Sequence, residues 1–137
     1  MDDYKKNDLL MALENESNAS IMKLNTRKIQ KHKNDILQQI IKDKHTLKSF
    51  HKKLRYYRYC GELCDLQDGH YIRWIPLKDP DKINLTLGGF YIDTEFRNGG
   101  LQIICKNGRR KIRAKFDEIL IFQKISNQEA VILSVLD

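Results

Sequence analysis

No apolar run in this chain approaches the roughly 20 residues that cross a bilayer as a helix, so a membrane-spanning helix is not expected. Nor does an apolar core with a cleavage site follow Met1 to Lys6, which reads as a chain without a secretory signal. Cysteine is sparse and odd in number, at Cys60, Cys64 and Cys105. Without a signal, reduced thiols in an intracellular compartment are the expectation, and no disulfide framework. Catalytic signatures are missing too. There is no Gly-rich phosphate loop, no nucleophile elbow and no paired acidic motif, so no enzyme is expected, and no cofactor. Cys60-x3-Cys64 with His70 and Cys105 lacks the two complete paired clusters of a structural zinc site, so no metal is assigned. Pro76 and Pro80 are the only prolines, and between Ser20 and Tyr59 there is neither proline nor glycine.

What the chain has in abundance is positive charge in one place. The formal net charge is +7. Residues 20–58 hold twelve Lys and Arg against only Asp35 and Asp43, a net of +10. Residues 1–19 are net acidic and 59–137 are near neutral. The basicity therefore belongs to one segment and to whatever that segment meets.

Three segments follow. Residues 1–19 read as a flexible arm, residues 20–60 as a basic amphipathic helix, and residues 61–137 as a small β domain. The helical segment keeps a heptad pattern. Met22, Ile29, Ile36, Asp43, Phe50 and Tyr57 form one set, and Thr26, Lys33, Ile40, Leu47 and Leu54 the other. A 3.5-residue repeat held this long predicts a coiled coil, with Ile29, Ile36, Ile40, Leu47, Phe50 and Leu54 as its oligomer seam. The expected partner is a second or third copy of the chain. Packing of the helix against the β domain is the alternative.

Past Gly61 the period changes. His70 to Ile75 alternates as a strand, Leu87 to Phe96 reads as another, and Gly88-Gly89 suggests a bulge near its start. Asn98-Gly99 and Asn107-Gly108 are hairpin signals, bounded by strands at 101–105 and 111–116, and a further strand runs over 119–125. Ser126 and Glu129 form a capping box that predicts a short final helix over β-branched residues that would suit a strand. Five short strands with tight turns predict a small antiparallel barrel, SH3-like before OB-like. The expected fold class is thus α+β, a long N-terminal coiled-coil-like helix followed by an SH3-like barrel.

Two constellations bear on binding. Lys44, Lys48, Lys52, Arg55 and Arg58 crowd the second half of the helical segment with few acids among them, unlike the mixed charges of most coiled-coil exteriors. They suit phosphates or an acidic protein surface; a solvated helix face is the bland reading. Tyr71, Trp74, Phe90 and Tyr91 could line an aromatic groove, with Trp74 and Phe90 as barrel core the favoured alternative.

Leu54-Arg55-Tyr56-Tyr57-Arg58-Tyr59, Gly69-His70-Tyr71-Ile72-Arg73-Trp74-Ile75, Gly88-Gly89-Phe90 and Lys115-Phe116-Asp117-Glu118 with Ile121-Phe122 resemble a small uncharacterised protein family of nucleocytoplasmic large DNA viruses. The resemblance implies a setting alone: host cytoplasm, viral factory or virion. The leading functional expectation is a non-enzymatic assembly or scaffold protein that oligomerises through its helix. The alternative is a nucleic-acid-binding protein using the basic helix for phosphate contacts.

Overall fold

The computed structural model describes residues 3–15, 18 and 21–137. Of the segment read as an arm, residues 1, 2, 16, 17 and 19 lie outside the described ones. Its centre is helix α1, Asp3–Glu14.

The long basic helix is two short ones. Helix α2 spans Thr26–Ile40, with Asn25 accepting at its N-cap from the Lys28 N–H. Helix α3 spans Lys44–Lys53. The break falls at Asp43, whose carboxylate accepts from Thr46 N–H at 2.9 Å and Thr46 Oγ1 at 2.8 Å. A side chain that satisfies a free helical N–H starts a helix rather than continuing one. Asp43, a member of the expected seam, is an exposed cap. The other charged seam residue, Lys33, is buried and donates from Nζ to Leu54 O at 2.9 Å and Tyr57 O at 3.0 Å. It closes the C-terminal end of α3, where carbonyls lack helical partners and a cation is favoured.

There is accordingly no coiled coil. The residues assigned to an oligomer seam point into this chain. Phe50 and Leu54 join Leu37 and Ile41 of the α2–α3 pair in a cluster with Ile75, Leu120 and Phe122 of the sheet, and Ile36, Ile40 and Leu47 flank it. Ile29 packs instead with Ala12, Ile21, Ile132 and Leu133. A heptad stripe and a globular helix stripe share most of their positions, and here the capping residue at 43 decides between them.

The segment read as the helix end is a strand. Beyond Leu54 the chain turns, and β1 covers Tyr57–Cys60, where alternating Tyr and non-Tyr residues give alternating burial. Strands β2 (Tyr71–Pro76), β3 (Gly89–Arg97), β4 (Gly100–Asn107), β5 (Arg110–Lys115) and β6 (Ile119–Lys124) follow, then α4 at Asn127–Leu136. The capping box holds: the Ser126 side chain accepts from Glu129 N–H, and the Glu129 carboxylate accepts from Ser126 N–H. All strand pairs are antiparallel in a six-stranded sheet of order β1-β6-β2-β3-β4-β5.

This sheet is open, with β1 and β5 as its edges, so the SH3-like barrel is corrected. Closure is one way to bury a sheet face; helices are another. Here α2 and α3 cover one face over Ile75, Leu120 and Phe122. On the opposite face Cys60, Ile72, Trp74, Tyr91, Ile103, Cys105 and Ile121 form a second cluster. The division drawn at residue 60 places β1 in one segment and its hydrogen-bonded partner β6 in the other. The bulge lies between Tyr91 and Asp93, not at the glycines. Gly88 serves a different need: at φ +76, a Cβ there would lie 1.9 Å from Ile72 O.

Candidate nucleic-acid interface

Register brings one residue from each strand into a single row. Tyr57 of β1 pairs with Lys124 of β6. Ile72 pairs with Gln123, which sets Tyr71 of β2 beside Lys124. Tyr71 pairs with Phe90 of β3, Phe90 with Lys106 of β4, and Lys106 with Lys111 of β5. Paired residues of neighbouring strands point to the same side, so Tyr57, Lys124, Tyr71, Phe90, Lys106 and Lys111 share one face. At roughly 4.8 Å per strand the row is about 24 Å long. It lies on the face that α2 and α3 cover elsewhere, and none of the six residues is buried.

The aromatic part of the row is held in place. Tyr71 and Phe90 meet edge to face, their centroids 5.1 Å apart and their planes at 90°. Tyr71 Oη donates to Leu87 O at 2.6 Å, which fixes its ring. Phe90 is 51% exposed, a large apolar side chain left to solvent where the sheet has core available. Asn107 Nδ2 donates to Gly88 O at 2.9 Å and ties the β4–β5 hairpin to the chain entering β3.

At the β1-β6-β2 end the row opens into a cleft of about 690 Å³ lined by Tyr57, His70, Tyr71, Arg73, Phe90 and Lys124, with Ile125, Ser126 and Asn127 at the mouth of α4. No Asp or Glu lines it. Arg73 Nε donates to Thr86 O at 2.9 Å, which anchors the guanidinium by one of its five N–H groups. Burial raises the Tyr57 phenol above its ordinary value against the opposing charge of Arg73, so the hydroxyl stays protonated and can donate. Lys106, Lys111 and Lys124 form no ion pair among the described residues; Arg113 is taken up by Glu95 at 2.8 Å, and that pairing holds the Glu95 carboxyl below its usual range.

The structure distributes the binding residues expected from sequence unevenly. Lys44, Lys48, Lys52 and Arg55 are exposed. Arg58 is not on that surface. It alternates to the opposite face of β1, where Nε meets Glu129 Oε2 at 3.0 Å, Nη1 donates to Cys60 Sγ at 3.3 Å and Nη2 to Asp65 O at 3.0 Å. Gln67, Gln123 and Asn18 continue this interior polar network towards α1, through Gln67 N–H to Gln123 Oε1 at 2.8 Å and Asn18 Nδ2 to Ala12 O at 2.9 Å. Of the four aromatics that could line a groove, Tyr71 and Phe90 do so, and Phe90, favoured as core, instead stands exposed on the cleft side of β3. Trp74 and Tyr91 alternate inward to the core.

The lysines of the row and Tyr57 were missed by sequence reading. The Asn107-Gly108 hairpin signal could have set Lys106 opposite Lys111, but the β1–β6 and β2–β3 registers join residues far apart in sequence. No group of three or more His, Cys, Asp or Glu side chains is placed to hold a metal among the described residues. No described helix is long and apolar enough to cross a membrane. No protein-family model, curated protein or solved structure matches the chain.

Proposed function

We propose that this chain binds single-stranded nucleic acid along the open half of its sheet face. The observation that carries the reading is the cross-sheet row, in which Lys124 stands between Tyr57 and the Tyr71–Phe90 pair and Lys106 and Lys111 follow on β4 and β5. Unpaired bases stack on rings of any orientation that leaves a face open, while lysines between and beyond them neutralise the backbone. A duplex hides its bases, so it would leave Phe90 and Tyr71 without a partner. The scaffold reading has no comparable support, because the apolar residues assigned to its seam pack inside the chain.

Fluorescence anisotropy with labelled single strands and duplexes over a range of salt concentrations tests this. Three lysines on phosphate give a single-strand slope of about −2 in log K against log salt. Phe90→Ala should weaken single-strand binding by about 1–3 kcal/mol and barely alter the slope. The double change Lys106→Glu with Lys124→Glu should flatten the slope by about 1.4. A wild-type slope near zero, or Phe90→Ala binding as tightly as wild type, would rule the reading out.

A further inference from the structure

The cation and aromatic surface does not stop at Tyr57, the end of the sheet row. The cleft at the β1-β6-β2 end shares Lys124, Ile125, Ser126 and Asn127 with a second cleft lined by Gln30, Arg55, Tyr56 and the exposed side of α4. In that second cleft the Arg55 guanidinium lies 5.5 Å from the centroid of the Tyr56 ring, and Tyr56 is 63% exposed. This again sets an aromatic ring beside a cation. Ile125 N–H donates to Tyr56 O at 2.8 Å, so the corner between the clefts is fixed by backbone.

Arg55 also continues a stripe. Lys44, Lys48 and Lys52 stand four residues apart and share one face of α3, and Arg55 follows in the turn just past the helix end. All are exposed, while Leu47, Phe50 and Leu54 turn the other side of the helix to the core. The bordering α2 residues Gln30 and Asn34 are uncharged, and His51 bonds Asn34 at 3.0 Å. Asp137 reaches the second cleft, but its carboxylate is committed to Thr26 N–H at 2.7 Å and Thr26 Oγ1 at 2.6 Å.

We propose that the two surfaces are one path: a single strand crosses the sheet from Lys111 to Tyr57, turns the corner at Arg55 and Tyr56, and runs along the lysines of α3. This rests on the single-strand reading above and deepens it. The sheet contributes about 24 Å and Lys44 to Lys52 about 12 Å more. A strand long enough for both arms engages the α3 cations; a short one, held by the aromatic row, does not.

The test uses the full chain and two labelled oligothymidines, one of about five nucleotides and one of about fifteen. In wild type the longer strand should bind at least tenfold tighter, with a salt slope steeper by about two units for the three α3 lysines. Lys44, Lys48 and Lys52 all changed to Glu should abolish that extra slope and leave the short strand within twofold of wild type. The same three changed to Ala should also remove the extra slope, with a smaller loss of affinity than the Glu variant because no repulsion is added, and circular dichroism checks that both variants keep wild-type helix content. If the short strand binds wild type but the α3 variants leave the long strand's slope unchanged, the path is wrong while the sheet reading stands. Equal losses for both strands overturn it too. A fifteen-base-pair duplex that loses the same slope in the variants marks α3 as a separate duplex surface and overturns the continuous path. Absence of any binding by either strand removes both readings together.

Discussion

At the scale of single residues, alternation along β1 sends neighbours to opposite fates. Tyr57 faces the cleft, while Arg58 lies 1% exposed against Glu129. An ion pair taken out of water is held by geometry, and removing one partner leaves a buried charge uncompensated. Arg58→Met should therefore cost about 3–5 kcal/mol of unfolding free energy by urea titration. Adding Glu129→Gln, which keeps an oxygen for the Ser126 cap, should recover most of that loss. The thiols divide in the same way. Burial pushes Cys60 and Cys105 up to about 12, so both stay protonated and unreactive at neutral pH. Cys64 is exposed. The Glu62 carboxylate raises the Cys64 thiol too, so access alone sets it apart. One thiol of three should react with a disulfide reagent at pH 8 in the native protein, and all three in denaturant. Two reacting thiols would mean that one of the core sites opens.

At the scale of elements, the legible parts are those whose signal is local. The hairpins at Asn98-Gly99 and Asn107-Gly108 and the Ser126–Glu129 cap are written in neighbouring residues, and each lies where the strands β3 to β5 and helix α4 place it. The break between α2 and α3 was also local, in Asp43 followed by Thr46, but the heptad pattern outweighed it. Lys33 was legible only as a blemish in a seam, since its carbonyl partners lie 21 and 24 residues away. The helical cation row was visible as a charge run; the sheet row was not, because it is made by register. Gly88 shows how tightly that register is set. With φ +76 and the Ile72 carbonyl within 1.9 Å of where a Cβ would stand, Gly88→Ala should cost more than about 2 kcal/mol and displace β2 from β3. The same variant should weaken single-strand binding, since Tyr71 and Phe90 meet across that pair.

At the scale of the whole molecule, helices and sheet share one core. Leu37, Phe50 and Leu54 from the basic segment cover Ile75, Leu120 and Phe122, and β1 supplies an edge to β6. Residues 61–137 alone would expose that apolar face and lose a strand. Such a fragment should show no cooperative thermal transition, whereas the full chain should melt in one step. The charge layout fits the same picture: basic residues placed on an internal helix pair and on the β4–β5 hairpin flank one aromatic strip. The most direct test is a backbone-assigned NMR titration with a short oligothymidine. If the sheet face is the interface, the largest amide shifts fall on Tyr57, Tyr71, Phe90, Lys106, Lys111 and Lys124, leaving Trp74, Ile103 and Ile121 on the opposite face nearly unmoved. Shifts confined to other surfaces, with those six residues silent, would contradict it.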